Sequence, residues 1–179
     1  MLEINPFPLA TISVGEVTVG RFTTAYCGTQ RRVKDNHGHL IYGGSDLACV
    51  RGGWSELEGI QLPAEARLAI AQARAYDDAM SEYPGFMASR RNYDVGQGID
   101  SQGQRRSGVF EASWRSGGAS TAELAALTEF AANRELEIIH VSTVREFGAG
   151  RNAPPGADIH YCGNDPRDGP ILRYTVTHS

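Results

Sequence analysis

Lysine is almost missing from this chain: Lys34 stands alone against sixteen arginines in 179 residues. Beside 21 glycines and many alanines, so one-sided a ratio reads as a GC-rich coding bias and not as a binding signature. Basic residues number 17 against 21 acidic ones, and the resulting charge of −4 argues against a dedicated nucleic-acid binder. Cysteine is scarce and odd in number. Cys27, Cys49 and Cys162 cannot all pair within one chain, and their wide spacing fits no disulfide framework, so a reducing compartment is the simpler expectation. No stretch approaches the roughly eighteen apolar residues of a membrane span. The opening Met1–Pro8 has neither the basic region nor the unbroken apolar core of a secretory signal. A soluble, cytoplasmic protein is expected. Walker A, Gly-x-Ser-x-Gly, kinase and EF-hand signatures are all missing, so no reaction is announced, and neither cofactor nor metal is expected.

What is present describes a folded domain. With 41 % hydrophobic and 21 % charged residues the composition is globular. A chain of this length should bury about 70 % of its unfolded surface, enough for one core without staples. No linker or internal repeat divides it, so residues 1–179 are expected to form a single domain.

Residues 9–14 alternate through Ile12 and Val14, and Val17 and Val19 resume the pattern after Gly15-Glu16, which predicts a hairpin turning there. Gln30–Lys34 and Leu40–Tyr42 form a second hairpin around Asp35-Asn36-His37-Gly38, and Leu47–Val50 adds a short strand. His37 and His39 could chelate a metal, but turn chemistry explains them better. The period then lengthens. Ala66, Ala69, Ile70, Ala73, Tyr76, Met80 and Tyr83 recur at three and four residues, predicting a helix over 63–83 between Pro63 and Pro84-Gly85. A second helix is predicted over 120–134, opened by a Ser120/Glu123 capping box and striped by Leu124, Leu127 and Ala131. Val109–Trp114 reads as a strand and Asp94–Ser107 as a long loop. Leu136–Val144, Asp158–Cys162 and Ile171–His178 read as three further strands. The order is α+β: a mostly antiparallel sheet with two main helices packed on one face. Exposed strand edges favour a homo-oligomer, with a dimer preferred.

Two groups of residues could carry function. Strand alternation assigns His140, Ser142, Asp158, His160, Cys162 and Arg173 to polar rows that share one surface if the last three strands are neighbours. Imidazoles, a thiol, a carboxylate and a guanidinium together suit a pocket for a small polar or anionic molecule. An enzyme reading makes His140, His160 or Cys162 catalytic in a small hydrolase or transferase. The second group, Arg90, Arg91, Arg105 and Arg106, brackets the 94–107 segment and could clamp an anion or dock an acidic partner or a nucleic-acid backbone. Alternation alone also produces a solvated sheet face with no function.

Overall fold

The structure is a computed structural model that describes residues 10–178. The reading of Met1–Pro8 and the start of the first strand at Leu9 lie outside the described residues. Alternating and β-branched residues build β1 (Ala10–Val19), β2 (Phe22–Lys34) and β3 (Leu40–Arg51). After them come α1 (Trp54–Gly59), α2 (Ala64–Ser81), β4 (Arg90–Ile99), β5 (Arg105–Ser113) and α3 (Ser120–Ala132), then β6 (Ile138–Phe147), β7 (Asp158–Asp165) and β8 (Gly169–His178). The strands form one antiparallel sheet in the order β5-β4-β1-β2-β3-β6-β8-β7. The α+β class and the two main helices agree with the sequence reading.

The first hairpin turns five residues later than expected. β1 runs through Gly15-Glu16, and the chain reverses at Gly20-Arg21, with Val19 opposite Phe22 and Gly20 at φ 60°. Gly15 is a glycine for another reason. A Cβ there would lie 2.5 Å from the Tyr26 hydroxyl, because the buried Tyr26 ring crosses β1 at this point. The Asp94–Ser107 segment is likewise no loop: β4 and β5 pair from Asn92↔Ser113 to Ile99↔Arg105 and close at Asp100, whose Oδ1 accepts hydrogen bonds from the amides of Gln102 and Gln104. Asp35 holds the second hairpin in the same way, accepting from the amides of His37 and His39.

The expectation that both helices share one face is corrected. In β2, Ala25 and Cys27 belong to the cluster under α1 and α2, whereas Tyr26 between them belongs to the cluster under α3. Successive strand side chains point to opposite faces, so α2 and α3 lie on opposite sides of the sheet. α2 covers β5, β4, β1 and β2 on one face, and α3 covers β2, β3, β6 and β8 on the other. The central strands are therefore buried on both faces, with consecutive buried residues at 12–15 in β1, 24–27 in β2 and 47–50 in β3. Such runs are the pattern of a strand covered twice.

The face of α3 also differs from the expected stripe. Ala122, Glu123, Ala126, Leu127 and Phe130 are buried, while Leu124 is 56 % exposed. Ser120 and Glu123 form no capping box. The Ser120 hydroxyl accepts from the Gly117 amide, and Glu123 turns inward to Arg90. Arg90 Nε donates to Glu123 Oε2 at 2.8 Å, Arg90 Nη2 donates to Oε1 at 2.8 Å, and Tyr26 Oη donates to Oε1 at 2.6 Å. Burial works against the Arg90 charge, and the carboxylate beside it more than reverses this, so the guanidinium is held above its ordinary value. Burial and then Glu123 push the Tyr26 phenol well up, which keeps it a neutral donor.

Breaking one partner of a buried pair leaves an uncompensated charge. Glu123→Ala should therefore lower unfolding stability by about 3–5 kcal/mol, with Arg90→Met on the same background restoring part of the loss. Urea denaturation of both variants checks this; a single-variant loss below about 1 kcal/mol would show the pair behaving like an exposed one.

Candidate functional site

α3 and the Arg115–Ala119 approach to it overhang the sheet, and two small cavities open beneath them on the α3 face. One lies toward β6, β8 and β7. Its volume is about 230 Å³, and Arg145, Arg173, His160, Thr143 and Thr121 line it. Arg145 and Arg173 stand directly opposite each other across the β6–β8 ladder. Like charges so placed repel, yet neither guanidinium has a hydrogen-bonding or ion-pairing partner among the described residues, and Arg173 Nε is buried with its bonding capacity unused. Burial first, and then the Arg173 charge, hold the Arg145 guanidinium below its ordinary value. Arg173 rests over the Tyr161 ring at 5.8 Å, and His160 Nε2 lies 2.8 Å from the Thr175 hydroxyl.

The second cavity, of about 260 Å³, lies toward β1 and β4. Here the α3 face of the sheet is built from polar side chains that satisfy one another. Asp94 accepts from Ser13 Oγ at 2.9 Å, Gln30 Nε2 at 2.8 Å and Asn92 Nδ2 at 3.1 Å. Asn92 Oδ1 in turn lies 2.9 Å from Tyr26 Oη, joining this network to Glu123 and Arg90. Tyr42, Gly117 and Gly118 line both cavities, and the close packing of Gly118 on the Tyr42 ring divides them.

The six-residue surface expected from strand alternation does not form. β7 pairs with β8 and not with β6, and the β6–β8 register sets His140 opposite His178 and Ser142 opposite Val176. His140 and Ser142 thus share the α2 face with Tyr174, while Arg173 and Thr175 lie on the α3 face. A register shift in β7 between Ile159 and Tyr161 leaves His160 as the unpaired extra residue, and its side chain reaches Thr175 on the α3 face. Asp158, with Oδ2 3.9 Å from His160 Nδ1, stays with it. Cys162 pairs with Leu172 and points to the other side. His140, His160 and Cys162 are therefore not one catalytic group: two faces and an intervening strand separate them.

On the α2 face Ser142 donates to Asp46 Oδ1 at 2.6 Å and sits 2.9 Å from His178 Nε2. Burial pushes the Asp46 carboxyl up, but the hydrogen bonds from Arg31 and Ser142 leave it below the usual carboxylate range. Among the thiols, burial raises Cys27 to about 12 and Cys49 further, and Cys162 is exposed.

The four arginines around 94–107 do not converge either. Arg90 is in the Glu123 pair, and Arg91 bonds Glu16 and Asp77 on the opposite face. Arg105 and Arg106 sit at the far end of the hairpin, where Arg106 pairs with Asp100. Seven to nine residues of strand hold the two pairs roughly 23–30 Å apart.

Arg145, Thr143, Thr121 and Tyr42 were not singled out from sequence. Arg145 follows the predicted strand end at Val144 by one residue, and only the register shows that it faces Arg173. Sequence did carry one signal for Arg145: it extends the alternation of Val141 and Thr143 by two further residues.

If the opposed guanidinia strain the fold, removing one charge while keeping its apolar stem relieves it. Arg145→Met should raise stability by roughly 0.5–1 kcal/mol in a chloride buffer of low ionic strength. A melting temperature at or below that of the parent protein would show that the pair is not repulsive.

Among the described residues no helix is long and apolar enough to cross a membrane. No curated protein and no solved structure matches the chain. Residues 1–175 match a family described as "Protein of unknown function (DUF3182)", and the chain belongs to that family.

Proposed function

We propose that this protein binds a small anionic molecule, seated between Arg145 and Arg173 beneath the start of α3. The observation that carries the reading is the directly opposed arginine pair in the walls of a cavity, which makes no salt bridge among the described residues and has Asp168 and Asp165 only at longer range. Folding two guanidinia against each other is unfavourable unless something compensates, and a bound anion does so through charge-assisted, forked hydrogen bonds. The volume of about 230 Å³ falls below the usual ligand pocket and suits a phosphate- or carboxylate-sized group. His160 and the hydroxyls of Thr143 and Thr121 add polar groups around it, and the first amides of α3 carry a favourable dipole. Three free cysteines support a reducing compartment such as the cytoplasm. The open edges β5 and β7 support a homodimer.

Inorganic phosphate, sulfate and citrate titrated calorimetrically at low ionic strength should bind, and each should raise the melting temperature above a chloride control. Arg145→Ala and Arg173→Ala should each weaken phosphate at least about tenfold, the worth of one charge-assisted hydrogen bond, while the distant Arg134→Ala should not. Equal affinity in all three variants would end the reading.

A further inference from the structure

We infer that the anion is one that only accepts hydrogen bonds: a sulfate- or carboxylate-type group that carries no proton of its own. This rests on the anion-binding reading above and narrows its chemistry. No aspartate or glutamate is among the described residues that line the Arg145–Arg173 cavity. The carboxylates of this region are committed or stand off. Glu146 accepts from Tyr174 on the α2 face, Asp158 lies beyond His160 with its side chain 82 % exposed, and Asp165 and Asp168 act on the arginines only at longer range.

What the walls offer is hydrogen to give. Guanidinia donate and never accept, and those of Arg145 and Arg173 make no hydrogen bond among the described residues, with Arg173 Nε shut off from water. Thr143 is buried, and its oxygen already accepts from the Ser45 amide at 2.9 Å, while nothing among the described residues takes its hydroxyl hydrogen. The half-buried Thr121 hydroxyl, in the first turn of α3, is uncommitted among the same residues. Groups with acceptor capacity are engaged: Tyr42 Oη lies 2.9 Å from Ser45 Oγ, and His160 Nε2 lies 2.8 Å from the Thr175 hydroxyl.

A wall of donors sorts anions by their protons. Sulfate and hydrogen phosphate share a double negative charge and a tetrahedral shape, but hydrogen phosphate carries one O–H. Set against a guanidinium or a threonine hydrogen, that O–H meets a donor and stays unpaired, which is costly away from water. Turned toward the mouth, it withdraws one of the oxygens that the donors otherwise share. A sulfate or a carboxylate presents lone pairs on every oxygen and meets the donors in forked, charge-assisted bonds.

The test is calorimetry on the full chain at pH 8 and low ionic strength with sodium sulfate, sodium phosphate and sodium succinate, all three doubly charged there. The tighter of sulfate and succinate should exceed phosphate about tenfold or more, the worth of one unpaired hydrogen-bonding group. Sulfate ahead of succinate marks a sulfur oxyanion and succinate ahead marks a carboxylate; either order supports the inference. Thr143→Val, which removes a donor, should weaken the favoured anion about fivefold or more. Thr121→Asp, which supplies an acceptor, should shrink the preference over phosphate by a similar factor. Circular dichroism checks that both variants fold, and an acidic residue is favourable in the first turn of a helix, so Thr121→Asp remains readable if Thr143→Val does not fold. If phosphate binds as tightly as sulfate and succinate, if the preference survives in Thr121→Asp, or if a folded Thr143→Val binds undiminished, this inference is overturned and the anion site stands. If none of the three anions binds, or all bind equally to Arg145→Ala, both fall.

Discussion

The buried contact of Arg90 with Glu123 fixes where α3 lies, and much of the molecule follows from that placement. It ties a helix that packs on β2, β3 and β6 to the end of β4, two strands beyond the helix's own apolar footprint. Tyr26 joins the same carboxylate from below, and Arg90 Nη1 also donates to the carbonyls of Ser113 and Arg115, so one guanidinium holds the end of β5 and the approach to the helix. A buried ion pair is weak as a source of net stability, since desolvation offsets its attraction. Its use here is positional. With the pair in place, the Gly117-Gly118 segment must pass over Tyr42, and the two cavities lie on either side of that crossing.

Placing the helices on opposite faces solves a coverage problem. An eight-stranded sheet is too wide for one helix to shield, and each helix here covers about half of one face. The half-faces left over cannot be greasy without inviting aggregation, so they carry polar side chains that bond one another. On the α3 face this is the Ser13, Gln30, Asn92 and Asp94 network; on the α2 face it is Arg31, Asp46 and Ser142. The arginine pair breaks the pattern. Asp94 is satisfied by neutral donors and Asp46 by Arg31, whereas the half-buried Arg145 and Arg173 face each other and neither makes a salt bridge among the described residues. This opposition of like charges is the feature that sets the cavity apart.

Legibility in the sequence followed the range of the forces involved. The helix at 64–81 showed through its three- and four-residue spacing and Pro63, and the Asp35–Gly38 turn showed through residues that bond their own backbone. Asp94–Ser107 misled because β4 has few apolar residues: Asn92, Asp94 and Gln97 look like loop composition until the partners that satisfy Asn92 and Asp94 are known. Glu123 misled in the opposite way. Its spacing from Ser120 is that of a helix cap, and nothing within α3 indicates that it reaches Arg90, 33 residues earlier. Of the candidate site, Arg173 and His160 do line the cavity, but their expected companions His140, Ser142 and Cys162 face the other way.

The sequence by itself determined the α+β class, the two long helices and most of the strands, because these depend on residues within a few positions of one another. It also determined which side chains within each uninterrupted strand share a face. Tertiary structure alone decided which face of one strand joins which face of the next. That choice rests on register, and a single inserted residue, His160 in β7, exchanges the two sides. The pairing of Arg145 with Arg173 and of Arg90 with Glu123 is of this kind, set by ladders and helix packing between segments whose order along the chain carries no information about their contact.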